Sequence, residues 1–275
     1  MEFESLGNNL NSRRSSMKRF KVVWLSIFLF LIFNVFVWAQ GTKILTPEDV
    51  VRIKYALNPV ISPDGENIAY VMRVPRDTTD KPGPAFNEIW VVDAAGQNAR
   101  RFTREKESSR TPQWSVDGEF IYFLSRRKPE KFTQVYRIRF AGGEAEKVTR
   151  APNSIYQYRL SPDGKWLAFA YKDARSKDEQ KTRKKGNDWT VFEKDYKYTR
   201  LWLMNLENRD SLLLTPQSLN IWNFVWSPDG QKLLLTATEK PFTDDSYMFK
   251  KIYILEVASK KLELLHDPAA KIGAM

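Results

Sequence analysis

Cysteine is absent from this 275-residue chain, and histidine occurs once, at His266. The first absence excludes disulfides, thiolate metal sites and thiol nucleophiles together. The two together remove the clustered ligands that zinc requires. No Gly-x-Ser-x-Gly nucleophile elbow, P-loop or dinucleotide fingerprint occurs, and Gly142-Gly143 reads as a hairpin turn rather than a phosphate cradle. These gaps point to a chain with no catalytic residues, no metal and no cofactor of its own. Asp244-Asp245 reads as a solvated acidic pair in a loop between strands, and His266 as an exposed residue just after the last strand.

Basic residues are in excess, 44 Lys plus Arg against 33 Asp plus Glu, for a net charge of +11. Five of the basic side chains lie in the first forty residues, and no nucleic-acid motif accompanies the rest. Nucleic acid is therefore not an expected partner. After a polar leader, Met17-Lys18-Arg19-Phe20-Lys21 forms a basic start, and residues 22–38 form an apolar run. Val37-Trp38-Ala39 then supplies a cleavage site before Gln40. Basic start, apolar run and small-residue end describe a secretory signal. The chain is thus expected to be exported, periplasmic or secreted. The alternative is an uncleaved inner-membrane anchor at residues 22–38, a little short of the ~20 apolar residues that span a bilayer. Met17 is an alternative start.

A repeat organises the remainder. Ser62-Pro63-Asp64-Gly65, Ser115-Val116-Asp117-Gly118, Ser161-Pro162-Asp163-Gly164 and Ser227-Pro228-Asp229-Gly230 each precede an apolar run. Pro presets the turn, Asp accepts a local backbone bond, and Gly takes the left-handed conformation. A second marker follows each turn, a strand with Trp90, Tyr136, Trp202 or Tyr253 leading to another strand that ends, in the first three copies, on Thr. The turn serines are 53, 46 and 66 residues apart and the aromatics 46, 66 and 51, so both markers show a longer third unit. Two hairpins per ~40–50 residues is the signature of propeller blades. The expected fold is all-β, a β-propeller of WD40-like or PD40-type blades in an incomplete ring of about four. A β-sandwich with chance turn similarity is the alternative. The organisation expected is 1–39 leader and signal, 40–57 linker and short helix begun at Thr46-Pro47-Glu48-Asp49, 58–265 blades, and 266–275 a truncated tail.

Residues 172–197 make the third unit long. Their first half is charge-dense, and their second, Asp188-Trp189-Thr190-Val191-Phe192-Glu193-Lys194-Asp195-Tyr196, is aromatic and acidic. Such an insertion is either a solvated loop docked on a neighbouring blade or a loop projecting over one face to meet substrate or a partner domain.

The Leu45-Thr46-Pro47-Glu48-Asp49-Val50 opening, the Asn58-to-Gly65 stretch, the Trp226-to-Gly230 copy and the Trp189-to-Glu193 insertion resemble one family. It is the N-terminal propeller of exported prolyl oligopeptidase-family serine peptidases, in the dipeptidyl and acylaminoacyl branches. The resemblance spans about residues 44–265; the turn motif by itself also occurs in other exported propellers, including that of the Tol system. The resemblance implies a Ser-His-Asp α/β-hydrolase domain after the propeller, through which peptide substrate is met. This chain holds no such triad and is expected to be inactive alone. It also implies a substrate-binding role for Glu193 with Trp189: a carboxylate beside rings that holds a peptide's free amino terminus. Lys194 stands where a second acid would complete the pair, and an ordinary ion pair of Glu193 is the competing reading. A non-enzymatic exported propeller that binds or scaffolds proteins is the alternative function. An open ring end leaves oligomerisation or swapping open, and membrane contact is expected only if the signal is retained.

Overall fold

A computed structural model describes residues 44–103, 106–187, 189, 191, 196–268 and 271. The signal or anchor assigned to residues 17–39 lies outside them. They divide into two compact units that part after Val51. The first holds helix α1 (Pro47–Val51). Its start is a capping box: the Asp49 amide donates to Thr46 Oγ1 (3.2 Å) and the Thr46 amide to Asp49 Oδ2 (3.1 Å). Among the described residues no helix is long and apolar enough to cross a membrane.

The second unit is four blades, each a four-stranded antiparallel meander paired in chain order. The first comprises β1 (Tyr55–Ile61), β2 (Asn67–Val74), β3 (Phe86–Asp93) and β4 (Arg100–Arg101); the second β5 (Ser109–Trp114), β6 (Phe120–Ser125), β7 (Gln134–Arg139) and β8 (Glu146–Lys147). The third holds β9 (Ile155–Leu160), β10 (Trp166–Lys172), β11 (Thr199–Asn205) and β12 (Ser211–Leu213), with helix α2 (Lys177–Lys184) between β10 and β11. The fourth holds β13 (Asn220–Trp226), β14 (Lys232–Thr238), helix α3 (Thr243–Met248), β15 (Lys251–Glu256) and β16 (Leu262–His266). The architecture expected from the two repeated markers is the one observed.

The turn marker is the first hairpin of each blade. In all four, the Gly amide donates to the Ser carbonyl at 2.9–3.0 Å with the Gly at φ +68° to +77°. The Ser Oγ accepts the amide five residues on at 2.9 Å, and donates to the Asp carboxylate. The turns also touch in series. A Cβ added at Gly164 would stand 3.3 Å from Val116 Cγ2, and one at Gly230 3.4 Å from Pro162 Cδ.

The Asp64, Asp117 and Asp229 carboxyls are held below the ordinary carboxylate range, chiefly by the serine hydroxyl and next by the amide two residues on. A depressed folded-state pKa means that the folded chain binds fewer protons than the unfolded one. The stabilisation is therefore present above about pH 4 and lost as pH falls through the folded values. The urea midpoint is expected to fall with pH in that window, and the slope to flatten in a variant carrying Asp64→Asn, Asp117→Asn and Asp229→Asn.

The second marker has an equally local cause. The terminal Thr Oγ1 accepts the amide fourteen residues earlier in three blades: Ile89 to Thr103 (2.9 Å), Val135 to Thr149 (2.9 Å) and Leu201 to Thr215 (3.2 Å). In the fourth blade this register holds His266, opposite Ile252. The lone histidine is thus the exposed last residue of β16 and does not follow the strand.

Period-two alternation sends side chains to opposite neighbours. On β6, Ile121 and Phe123 join the core against the first blade, whereas Tyr122 and Leu124 join the core against the third. On β10, Leu167 and Phe169 face the second blade, and Ala168 and Ala170 the fourth. Three seams result. Among the described residues no core cluster joins the first blade to the fourth, and Ile61 (68% exposed) and Leu265 (58%) mark the open flanks.

Candidate functional site

In a meander, the connections from the second to the third strand and from each blade to the next emerge at the end opposite the Ser-x-Asp-Gly turns. At that end lies a cleft of about 890 Å³. Lys131 and Phe132 of the second blade, Pro152 and Asn153 of the following connection, the third-blade insertion, and Pro241 and Phe242 of the fourth blade enclose it.

One wall is α2, in the charge-dense half of the insertion that the sequence reading left without an element. Its signal was readable, since Ser176-x-x-Glu179 is a capping box: the Glu179 amide donates to Ser176 Oγ (3.1 Å) and the Ser176 amide to Glu179 Oε2 (2.5 Å). Glu179 also pairs with Lys197 Nζ at 2.7 Å. Lys197 first, and the Ser176 amide next, hold the Glu179 carboxyl down to about 2. The pair fixes the helix to the chain entering β11, so the insertion closes on itself at the cleft edge.

The opposite wall is aromatic. Tyr196 meets Tyr198 and Phe242 edge-on, at centroid distances of 5.5 and 5.1 Å. Tyr198 Oη donates to the Glu239 carbonyl at 3.0 Å, and Asn153 Nδ2 to the Lys172 carbonyl at 3.0 Å, joining neighbouring connections across the cleft. Tyr196 closes the aromatic half of the insertion noted in the sequence, whereas Phe132 and Phe242 escaped that reading, because they belong to other blades and no spacing rule links them to it.

Of the two residues proposed to bind substrate, Trp189 borders the cleft and is 70% exposed, its ring available to a ligand. Glu193 lies outside the described residues. The acids that line the cleft are engaged: Asp173 with Arg200 (3.1 Å), Glu179 with Lys197, and Asp178 with Lys181 (3.9 Å). Among the described residues Lys131, Lys172, Arg175 and Arg183 line it without forming an ion pair. The chemistry on offer is thus a cationic rim with aromatic faces, suited to carboxylates and to flat or apolar side chains. Asp244-Asp245 lie in the first turn of α3, not in a loop as expected. No group of three or more His, Cys, Asp or Glu able to hold a metal occurs among the described residues.

Residues 49–197 match the family described as the TolB beta propeller domain. The uncharacterized peptidase YuxL of Bacillus subtilis (strain 168) is 26% identical over 227 residues, 78% of this chain and 34% of that protein. Dipeptidyl-peptidase 5 of Porphyromonas gingivalis is 24% identical over 220 residues, 71% of this chain and 31% of its own length. The chain therefore spans about a third of the length of these curated relatives. Among solved structures, an acylaminoacyl peptidase bound to a chloromethyl ketone superposes with a TM-score of 0.57 at 16% identity. That likeness covers 80% of this chain and 34% of the peptidase, and concerns the fold.

Proposed function

The chain belongs to the TolB β-propeller family, and from that premise we propose that it is the substrate-admitting propeller of an exported serine peptidase. The observation that carries this reading is the pairing of two relatives named as peptidases with a match confined to about a third of each. The shared part is a propeller, and the hydrolytic triad belongs to a domain outside it. Blades packed at three apolar seams form a wall that folded proteins do not pass, while the loop end offers extended peptides a cationic, aromatic cleft. Trp189 supplies a ring face there, and the role assigned to Glu193 is to hold the free amino terminus of the peptide by charge. Residues 17–39 direct export, with cleavage before Gln40; retention of residues 22–38 as an anchor is the other outcome.

The test uses the natural gene. Sequence downstream of Met275 is expected to encode Gly-x-Ser-x-Gly followed by Asp and His, and the exported product to begin at Gln40. That product is expected to release 4-nitroaniline from dipeptidyl or acylaminoacyl substrates in a serine-reagent-sensitive reaction, whereas the 275-residue chain gives none above background. Glu193→Gln is expected to raise KM about tenfold for substrates with a free amino terminus, the worth of one charge-assisted contact, with kcat little changed. A stop codon after Met275, in a protein that captures partners without hydrolysis, would replace this reading with that of a binding propeller.

A further inference from the structure

Among the described residues, the four cations that border the loop-end cleft without an ion pair come from separate elements of two blades. Lys131 belongs to the connection between β6 and β7, Lys172 ends β10, Arg175 precedes α2, and Arg183 stands in the last turn of that helix. Positive charge thus reaches the cleft from more than one side, which a single basic stripe on a solvated helix would not achieve.

Helix α2 sorts its charges between cleft and solvent. Of its four basic residues only Arg183 lines the cleft, and it is half-buried there, whereas Lys177, Lys181 and Lys184 are exposed and face elsewhere. One turn earlier stands Glu179, the natural i,i+4 partner of Arg183. That carboxylate is already engaged by Lys197 Nζ at 2.7 Å and by the Ser176 amide at the helix start. The other acids on the lining, Asp173 and Asp178, pair with Arg200 and Lys181, neither of which borders the cleft. Every acid on the lining therefore has a cation of its own, and the charge left over is positive. The wider field has the same sense. Acids outnumber bases in the turn-end connections, and bases outnumber acids in the loop-end connections, so an anion is drawn to this end of the blades.

Resting on the reading of this cleft as the peptide site, we propose that it selects peptides by a carboxylate set beside an apolar or aromatic residue. The carboxylate is that of an Asp or Glu side chain or of the peptide's own C-terminus. Arg175 and Arg183 receive it, because a planar guanidinium forms two parallel bonds to a carboxylate where an ammonium forms one. Lys131 and Lys172 add charge at the rim. The exposed Trp189 ring and the edge-on pair of Tyr196 and Phe242 take the neighbouring side chain.

The test is calorimetric titration of the 275-residue chain with acetylated and amidated Phe-Glu-Phe and Phe-Gln-Phe, and with the same pair carrying free amino termini. The Glu peptide is expected to bind at least about tenfold tighter than the Gln peptide, the size of one charge-assisted contact. That preference is expected to shrink as NaCl rises from about 50 to about 500 mM. Arg175→Gln and Arg183→Gln are each expected to reduce the preference about threefold or more, and together to remove it. Lys177→Gln with Lys184→Gln removes equal charge outside the lining and is expected to leave the preference intact. Acetylated Phe-Gln-Phe with a free C-terminal carboxylate separates the two sources. Affinity equal to that of the Glu peptide would assign the terminus, and weaker affinity the side chain; either supports the proposal. Equal binding of Glu and Gln peptides in both pairs would overturn it while leaving the peptide reading in place. So would an equal loss of preference in the Lys177 and Lys184 variant, which would assign the effect to diffuse charge. Failure of every peptide to bind would overturn both.

Discussion

Phe123→Ala is expected to destabilise the chain by about 3–5 kcal/mol, and to do so by releasing the first blade. Phe123 is fully buried in the seam between the first and second blades, with its ring 6.1 Å from that of Tyr136 and the Arg127 guanidinium 5.5 Å from its centroid. Truncation leaves a ring-sized void lined by Ala69, Ile89, Val91 and Ile121, whose positions the β-ladders fix, so the seam cannot collapse to refill it. Against a total stability of about 5–15 kcal/mol this is a large fraction. The loss should also be local. Blades act as nearest-neighbour repeats, and on its other side the first blade ends in exposed Tyr55, Leu57 and Ile61. Hydrogen exchange is expected to show lost amide protection in residues 55–101, with protection retained in residues 155–238. A uniform loss across all four blades would mean that the sheets fold as one cooperative block, contrary to this account. The thermal midpoint is expected to fall by about 6–20 °C, from roughly 2–4 °C per kcal/mol at this chain length.

The blades were legible because their markers are local chemistry. Ser-x-Asp-Gly closes its own turn through Ser62, Asp64 and Gly65 without help from elsewhere, so four copies in sequence meant four copies in space. The Thr that ends the fourth strand bonds an amide only fourteen residues back, within the same hairpin. The seams were not legible, because their partners lie in other blades. Nothing near Trp226 in the sequence indicates that its indole donates to the Arg159 carbonyl, and nothing near Trp114 that its indole reaches the Val60 carbonyl. The same reason hid most of the loop-end cleft. Trp189 was identified from a local aromatic pattern, whereas Phe132 and Phe242 come from connections far from it in sequence. The α2 wall was the exception, for Ser176 and Glu179 are three residues apart and announce the helix start.

Arg200→Ala is expected to cost about 3 kcal/mol and to loosen the aromatic wall of the loop-end cleft, whereas Asp173→Asn is expected to cost less than about 1 kcal/mol. Arg200 is 7% exposed, and its guanidinium serves three groups. Nε meets Asp173 Oδ2 at 3.1 Å, and one terminal nitrogen donates to the carbonyls of Pro216 (2.9 Å) and Leu219 (3.3 Å). The guanidinium also lies 4.6 Å from the Tyr198 ring centroid. Asp173 is 37% exposed and can turn to water when its charge is removed, so that arm contributes little. The Leu219 carbonyl, bonded at a buried site, has no such escape, and removing its donor leaves it desolvated. Gln134, the equivalent residue in the second blade, performs the same service by donating to the Ala151 carbonyl at 3.0 Å. In the second and third blades the role is therefore to tie the blade to the connection leading into the next. Loss of the tie frees Tyr198, and through its edge contact Tyr196, so faster exchange is expected at residues 196–199 and 219–221 in Arg200→Ala. Comparable destabilisation by Asp173→Asn would instead assign the clamp to the ion pair. Arg200→Met separates the two accounts further, since it keeps the apolar stem against Tyr198 while still orphaning the Leu219 carbonyl.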